Sequence, residues 1–272
     1  MNAPVKKSFF VWQAIFPWLD VIALLIWGIL LSKYFFAGQL KLLIHPNYHS
    51  LALVTGIVFL LLGGFKAKQL LSPSSNTNSL NAPEIEHKTL FPPKLSSFLL
   101  IITAIIGLVF SPTVLTSQTA LARGVTEALP VTRNQPQLFR ASSKPEERSL
   151  IEWIRTLNAY PEPDAYEGQA AKVSGFVVHL PQLPKNYFLI SRFIITCCAV
   201  DAYPVGIPVK LEGVDRSTYP PDTWLKIEGT MIPETLPVAP QPNQPTNQPE
   251  RQLVLKATKL EVIPTPKDPY GY

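Results

Sequence analysis

Long apolar runs dominate the first 120 residues, and short alternating runs dominate the rest. PWLDVIALLIWGILLSKYFF at 17–36, SLALVTGIVFLLLGGF at 50–65 and SSFLLIITAIIGLVFSPTVL at 96–115 each hold few charges. A helical membrane span needs roughly 17–25 mainly apolar residues. The first and third runs meet that length, and the second stands at its short end. The pattern predicts three spans within a transmembrane region of 1–120.

After a polar link at 121–145 the period changes. Leu150, Ile151, Ile154 and Leu157 recur at helical spacing, which predicts one amphipathic helix over 146–159. Five runs rich in β-branched and aromatic residues follow, at 171–180, 186–198, 206–213, 223–232 and 252–263. Residues 233–250 are rich in Pro, Gln and Asn, and read as an exposed extended insertion between the last two strands. KVSGFV and LKIEGTM each place a glycine in mid-strand, the mark of a bulge or a tight bend. Five short strands of this kind predict a small OB-like barrel over 146–272, preceded by one helix.

Composition sharpens this picture. Charged residues make up 16% of the 272 positions, against roughly 25% in typical soluble domains. The net charge of +5 is spread out, with no run of five Lys or Arg, and gives no electrostatic case for nucleic acid. Lys6, Lys7, Lys66, Lys68, Lys88 and Lys94 fall on one side of the three predicted spans. Lys33, Lys41, Arg123 and Arg133 fall on the other. The positive-inside rule then predicts a multi-pass cell-membrane protein, in contact with lipid, whose C-terminal domain is extracytoplasmic.

Candidate chemistry is sparse. The two cysteines, Cys197 and Cys198, are adjacent in RFIITCCAVDAYPVGIPV, with Asp201 three residues on. Read as the end of a strand, this segment sends the two side chains to opposite faces. Arg192 shares a face with Cys198, about 20 Å away at roughly 3.3 Å per residue, and would favour a thiolate only if the chain bends. Free thiols, metal ligands and buried small hydrophobes all remain open readings. Two thiols and one carboxylate fall short of the four ligands of a structural zinc, and His87 and His179 are not at ligand spacing. In the first run, Asp20 reads either as an ion or proton contact or as an interfacial residue, and His45 stands at the edge of the second. GxSxG, HExxH, CxxC and phosphate-binding glycine patterns are missing, so no enzyme and no particular cofactor is expected.

Taken in order, AGQLKLLIHPNY at 37–48, three spans with a polar loop before the third, RFIITCCAVDA at 192–202, WLKIEGT at 224–230 and the terminal KDPYGY resemble the YcgQ-like family of presumed permease subunits. The resemblance runs along nearly the whole chain. It implies a non-catalytic subunit encoded beside a multi-span permease, with metal or metalloid ions as the suggested cargo. Where such chains carry a histidine-rich loop before the third span, this one has only His87. Two alternatives stand beside that expectation. One is a stand-alone membrane-tethered thiol-redox or metallochaperone protein. The other is a scaffold whose β-domain binds a protein partner.

Overall fold

The structure is a computed structural model, and it describes residues 6–72, 95–125, 144–237 and 249–271. By contacts the chain divides into two compact units, Met1–Pro112 and Thr113–Tyr272.

The first unit is helical: α1 Lys6–Phe36, α2 His49–Leu71 and α3 Leu95–Val109. Two helical stretches, Pro17–Phe36 and Pro46–Leu71, are long and apolar enough to cross a membrane. The helix described within the third run has 15 residues and ends at Val109, three residues before Pro112. Helix α1 lies between the other two. Against α2 it runs antiparallel, with glycines at the crossing: a Cβ on Gly28 would lie 2.7 Å from Leu60 Cγ and 2.9 Å from the Gly56 carbonyl oxygen. Along α3 it runs parallel, joined through α3 carbonyls. Trp27 Nε1 donates to the Leu100 oxygen at 3.0 Å, Lys33 Nζ to that of Leu108 at 2.9 Å and Tyr34 Oη to that of Gly107 at 2.5 Å.

The second unit opens with α4 (Ser117–Arg123), which crosses the boundary set by sequence between the transmembrane region 1–120 and the link 121–145, and then α5 (Leu150–Ala159). Helix α5 starts later than the periodicity suggested. Ser149 and Glu152 form a capping box that fixes its first turn, and Pro145–Glu147 is a separate 3-10 turn. Six strands follow: β1 Ala170–Val178, β2 Tyr187–Ile194, β3 Tyr203–Lys210, β4 Trp224–Pro237, β5 Pro249–Val262 and β6 Tyr270–Gly271.

The sheet order is β1-β4-β5-β3-β2-β6, and β1 also pairs with β2, so five strands form a closed cycle of pairings. β3 and β5 are parallel, β6 adds to β2 in parallel, and the other pairs are antiparallel. Trp153 and Ile154 of α5 pack with Phe188, Ile190, Ile207, Leu225, Ile227 and Leu255 in one continuous core.

The mid-strand glycines stand at close approaches. A Cβ on Gly175 would lie 2.4 Å from the Ser191 carbonyl oxygen, and one on Gly229 would lie 2.1 Å from that of Lys256, at a register shift between Glu228 and Gly229. Three sequence expectations change here. A sixth strand, β6, is present. The strand placed over 186–198 ends at Ile194. The ends of the Pro-rich insertion, 233–237 and 249–250, are paired strand rather than loop, while 238–248 lies outside the described residues.

Candidate functional site

β2 ends where Ile195, fully buried, donates its N–H to the Gly271 oxygen at 3.1 Å. Beyond it the chain leaves the sheet in a turn over 196–202. The amides of Cys197 and Cys198 need acceptors here, because unsatisfied amides are costly. Asp201 supplies the acceptor. Its Oδ2 takes the Cys197 N–H at 2.8 Å and the Thr196 hydroxyl, its Oδ1 takes the Cys198 N–H at 3.1 Å, and its own N–H returns to the Cys198 oxygen at 3.1 Å. The local chemistry of one aspartate thus overrides the β-propensity of IITCC, and the reading that strand alternation splits the two thiols is corrected.

The turn gathers the thiols. Cys197 Sγ lies 3.6 Å from Cys198 Sγ, and ligand atoms of Cys197, Cys198 and Asp201 all lie within 4.8 Å of one another. Cys197 is exposed, Cys198 and Asp201 are half-buried, and Val200 at the tip is 86% exposed. The hydrogen bond to Asp201, then that to Cys198, pushes the Cys197 thiol up to about 11. Burial alone would raise the Asp201 carboxyl, but the hydrogen bonds from Thr196, Cys197 and Cys198 outweigh it and hold the group below the usual carboxylate range. The Cys197 thiol therefore rests protonated beside an ionised carboxylate.

Arg123, the last residue of α4, holds the far side of the turn. Its Nη1 donates to the Ala199 oxygen at 3.3 Å and to that of Ala202. Helix α4 is itself fixed, since Ser117 N–H donates to Asp222 Oδ1 at 2.5 Å, and just before it Leu115 N–H donates to Tyr270 Oη at 2.9 Å. No motif marks Arg123 as a neighbour of the thiol turn. The placement of α4 brings it there.

Arg192 does not join the cluster. Its Nε donates to the Ser174 oxygen at 3.0 Å and its Nη2 to Ser174 Oγ at 3.2 Å, and its guanidinium lies over the Trp224 ring, 5.5 Å from the centroid. Burial holds it below the usual arginine range, against the opposing charge of Asp268. It is a stay between β1 and β2.

In the helical unit Asp20 meets two partners that its sequence context did not announce. Lys66 Nζ of α2 donates to its Oδ2 at 2.9 Å, and Ser97 Oγ of α3 to its Oδ1 at 2.6 Å. One side chain thus links all three helices. His45 stands apart from it, capping the turn Pro46–Tyr48 by accepting the Asn47 N–H at Nδ1. His179 Nε2 bonds the Tyr219 oxygen at 2.9 Å, and His87 lies outside the described residues.

A helical part with two apolar, span-length helices, joined to a six-stranded sheet domain carrying an exposed dithiol turn, defines the class. The chain matches the DUF1980 N-terminal domain over residues 19–126 and the DUF1980 C-terminal domain over residues 143–272, and it belongs to that family, whose function is unknown. No curated protein matches it.

Proposed function

We propose that this chain is a non-catalytic membrane subunit of a permease complex, and that its C-terminal domain captures a soft metal or metalloid ion at Cys197, Cys198 and Asp201. The observation that carries the reading is the 3.6 Å separation of the two sulfurs with a carboxylate beside them. At a metal–sulfur distance of about 2.3 Å, that separation corresponds to a sulfur–metal–sulfur angle of roughly 100°. This suits pyramidal or tetrahedral coordination and disfavours linear two-thiolate binding. The Cys197 proton shared with Asp201 is the one an ion would displace, freeing a carboxylate lone pair at the same place. Three ligands leave room for a donor from a partner, as transfer between two proteins requires.

The membrane part of the proposal has three spans. Its support is that α3 runs beside α1 from the Asp20–Ser97 contact to the Tyr34–Gly107 contact. We read the pairing cycle β1-β2-β3-β5-β4, with its parallel β3–β5 step, as an OB-like barrel. The lysine and arginine distribution favours an extracytoplasmic location for it. The YcgQ-like resemblance, through RFIITCCAVDA above all, supports a multi-span permease as the partner. A thiol-redox role is less well supported, because a thiol raised to about 11 ionises little near neutral pH. The bare Val200 tip favours, as a second reading, a scaffold that docks a protein partner on this turn.

Purification of the detergent-solubilised full-length protein tests both parts. A multi-span membrane protein should co-purify, and one equivalent of zinc or trivalent arsenite should bind with proton release. Cys197→Ser/Cys198→Ser should abolish the metal and leave the partner. Unchanged metal stoichiometry in that variant rejects the capture site, and the lack of any co-purifying membrane protein rejects the subunit role.

A further inference from the structure

The ion pair of the helical unit stands at the end of a cleft. Ala23, Leu24 and Trp27 of α1 form its floor, Phe59 of α2 and Leu100 of α3 flank it, and Asp20 and Ser97 close one end, enclosing about 460 Å³. The walls are almost wholly apolar, yet the closing end is charged. The Lys66 and Asp20 side chains keep 40% and 46% of their exposure. Among the described residues, their hydrogen bonds use one of three ammonium donors and two of about four carboxylate acceptor sites.

The pair also has a definite depth. Asp20 directly precedes the run 21–36 of α1, whose one charge is Lys33 in the last turn, and Lys66 directly follows the uncharged run 50–65 of the antiparallel α2. A 16-residue helical run covers about 24 Å, most of a hydrocarbon layer of roughly 30 Å. Both charges thus stand at one boundary of that layer, at headgroup level, with the cleft descending from them toward its centre.

We propose that this cleft binds a single glycerophospholipid with a phosphoethanolamine headgroup. The inference rests on the membrane placement proposed above. The site is neutral overall but polarised, with a negative carboxylate on α1 and a positive ammonium on α2. A zwitterionic headgroup with a primary ammonium answers both ends, since its N–H groups reach the open acceptor sites of Asp20 while its phosphate reaches Lys66. A phosphocholine has the same charges but no N–H to donate. A phosphoglycerol brings its phosphate to the carboxylate as well as to the lysine, with no cation for Asp20. One acyl chain fills the apolar cleft between Trp27 and Phe59, which α2 and α3 leave open on either side of α1.

Native mass spectrometry of the full-length protein, extracted in mild detergent, delipidated and then offered vesicles of phosphatidylethanolamine, phosphatidylcholine or phosphatidylglycerol, tests this. The expected result is one retained phosphatidylethanolamine, held at least tenfold better than either competitor. Asp20→Asn/Lys66→Met should remove the selectivity. Ala23→Leu, which narrows the cleft without touching the ion pair, should lower retention of every lipid and serves where the double variant misfolds. No retained lipid, equal retention of all three classes, a protein helix co-purifying in place of the lipid, or unaltered retention in Ala23→Leu overturns the proposal. A protein that carbonate washes release from membranes overturns instead the membrane placement itself.

Discussion

Asp201 accepts the backbone N–H of Cys197 at 2.8 Å while the thiol of the same residue leans on the same carboxylate. One side chain thus shapes the turn and sets the proton affinity of its most exposed sulfur. These two roles separate in part by substitution, because asparagine drops the charge and keeps one carbonyl oxygen for the Cys197 amide, giving up the acceptor of the Cys198 N–H.

Asp201→Asn should therefore speed alkylation of Cys197. With the thiol at about 11, the thiolate at pH 8 is scarcer than in a free cysteine by on the order of a hundredfold. Removing the charge should recover at least tenfold in rate. Iodoacetamide kinetics on the full-length protein in a Cys198→Ser background, run from pH 7 to 11, read this directly. The parent profile should still be rising at pH 10, and that of the variant should level off earlier. Superimposable profiles would show that Asp201 does not control the thiol.

Acid should weaken the domain through the same carboxylate, whose folded-state value is lowered. Its contribution is fully present above the unfolded value of about 3.9 and is lost as pH falls through the lower folded value. Glu234 acts in the same direction. Burial opposes its ionisation, but hydrogen bonds from Lys210 and Tyr187 hold it low. Melting temperatures of the full-length protein in micelles should fall between pH 5 and 2, with a shallower fall in Asp201→Asn. Equal slopes would remove Asp201 from the acid response.

Arg123→Ala should loosen the thiol turn without unfolding the sheet. The guanidinium is exposed, so each lost bond is worth about 1 kcal/mol, roughly a fivefold rise in local opening. Amide hydrogen exchange over 196–203 should accelerate by at least that factor, while exchange in β4 and β5 stays as it was. Uniform acceleration across the domain would contradict a local clamp.

Trp153 gives a contrast between size and polarity. It is fully buried, 6.0 Å edge-on from the Tyr166 ring, with the Arg148 guanidinium 4.9 Å above it. Trp153→Ala should cost about 3–5 kcal/mol. Its Nε1 has no acceptor among the described residues, so Trp153→Phe, which removes that buried donor, should cost less than about 1.5 kcal/mol. Chemical denaturation of both variants checks the ranking, and a phenylalanine variant as weak as the alanine one would refute it.

The sequence carried much of the architecture because periodicity and breakers act locally. Helix α5 and the five main strands lie within about five residues of where periodicity and Pro or Gly put them, and the two long helices contain the apolar runs but extend beyond them. Residues Tyr270 and Gly271 left no such signal, since a two-residue strand has no period. The site was harder to read. Cys197, Cys198 and Asp201 were visible as a group, but their closeness was not, because β-branched Ile194, Ile195 and Thr196 argue for continued strand while Asp201 draws the amides away. Lys66 was counted as a loop charge, although α2 continues through it to Leu71 and makes it the counterion of Asp20. Arg123, Ser97 and Tyr270 act only across long stretches of chain, which spacing along a sequence does not encode.

Leu115, near the start of the second unit, donates its N–H to the hydroxyl of Tyr270, near its end. Entry and exit of the polypeptide are therefore adjacent. A module of this kind is portable, because it can be spliced into a surface loop of another protein or given new ends by circular permutation without stretching its sheet. The same adjacency sets a practical boundary for anyone trimming the gene, since cutting before Leu115 or after Gly271 respects the fastening and cutting between them undoes it.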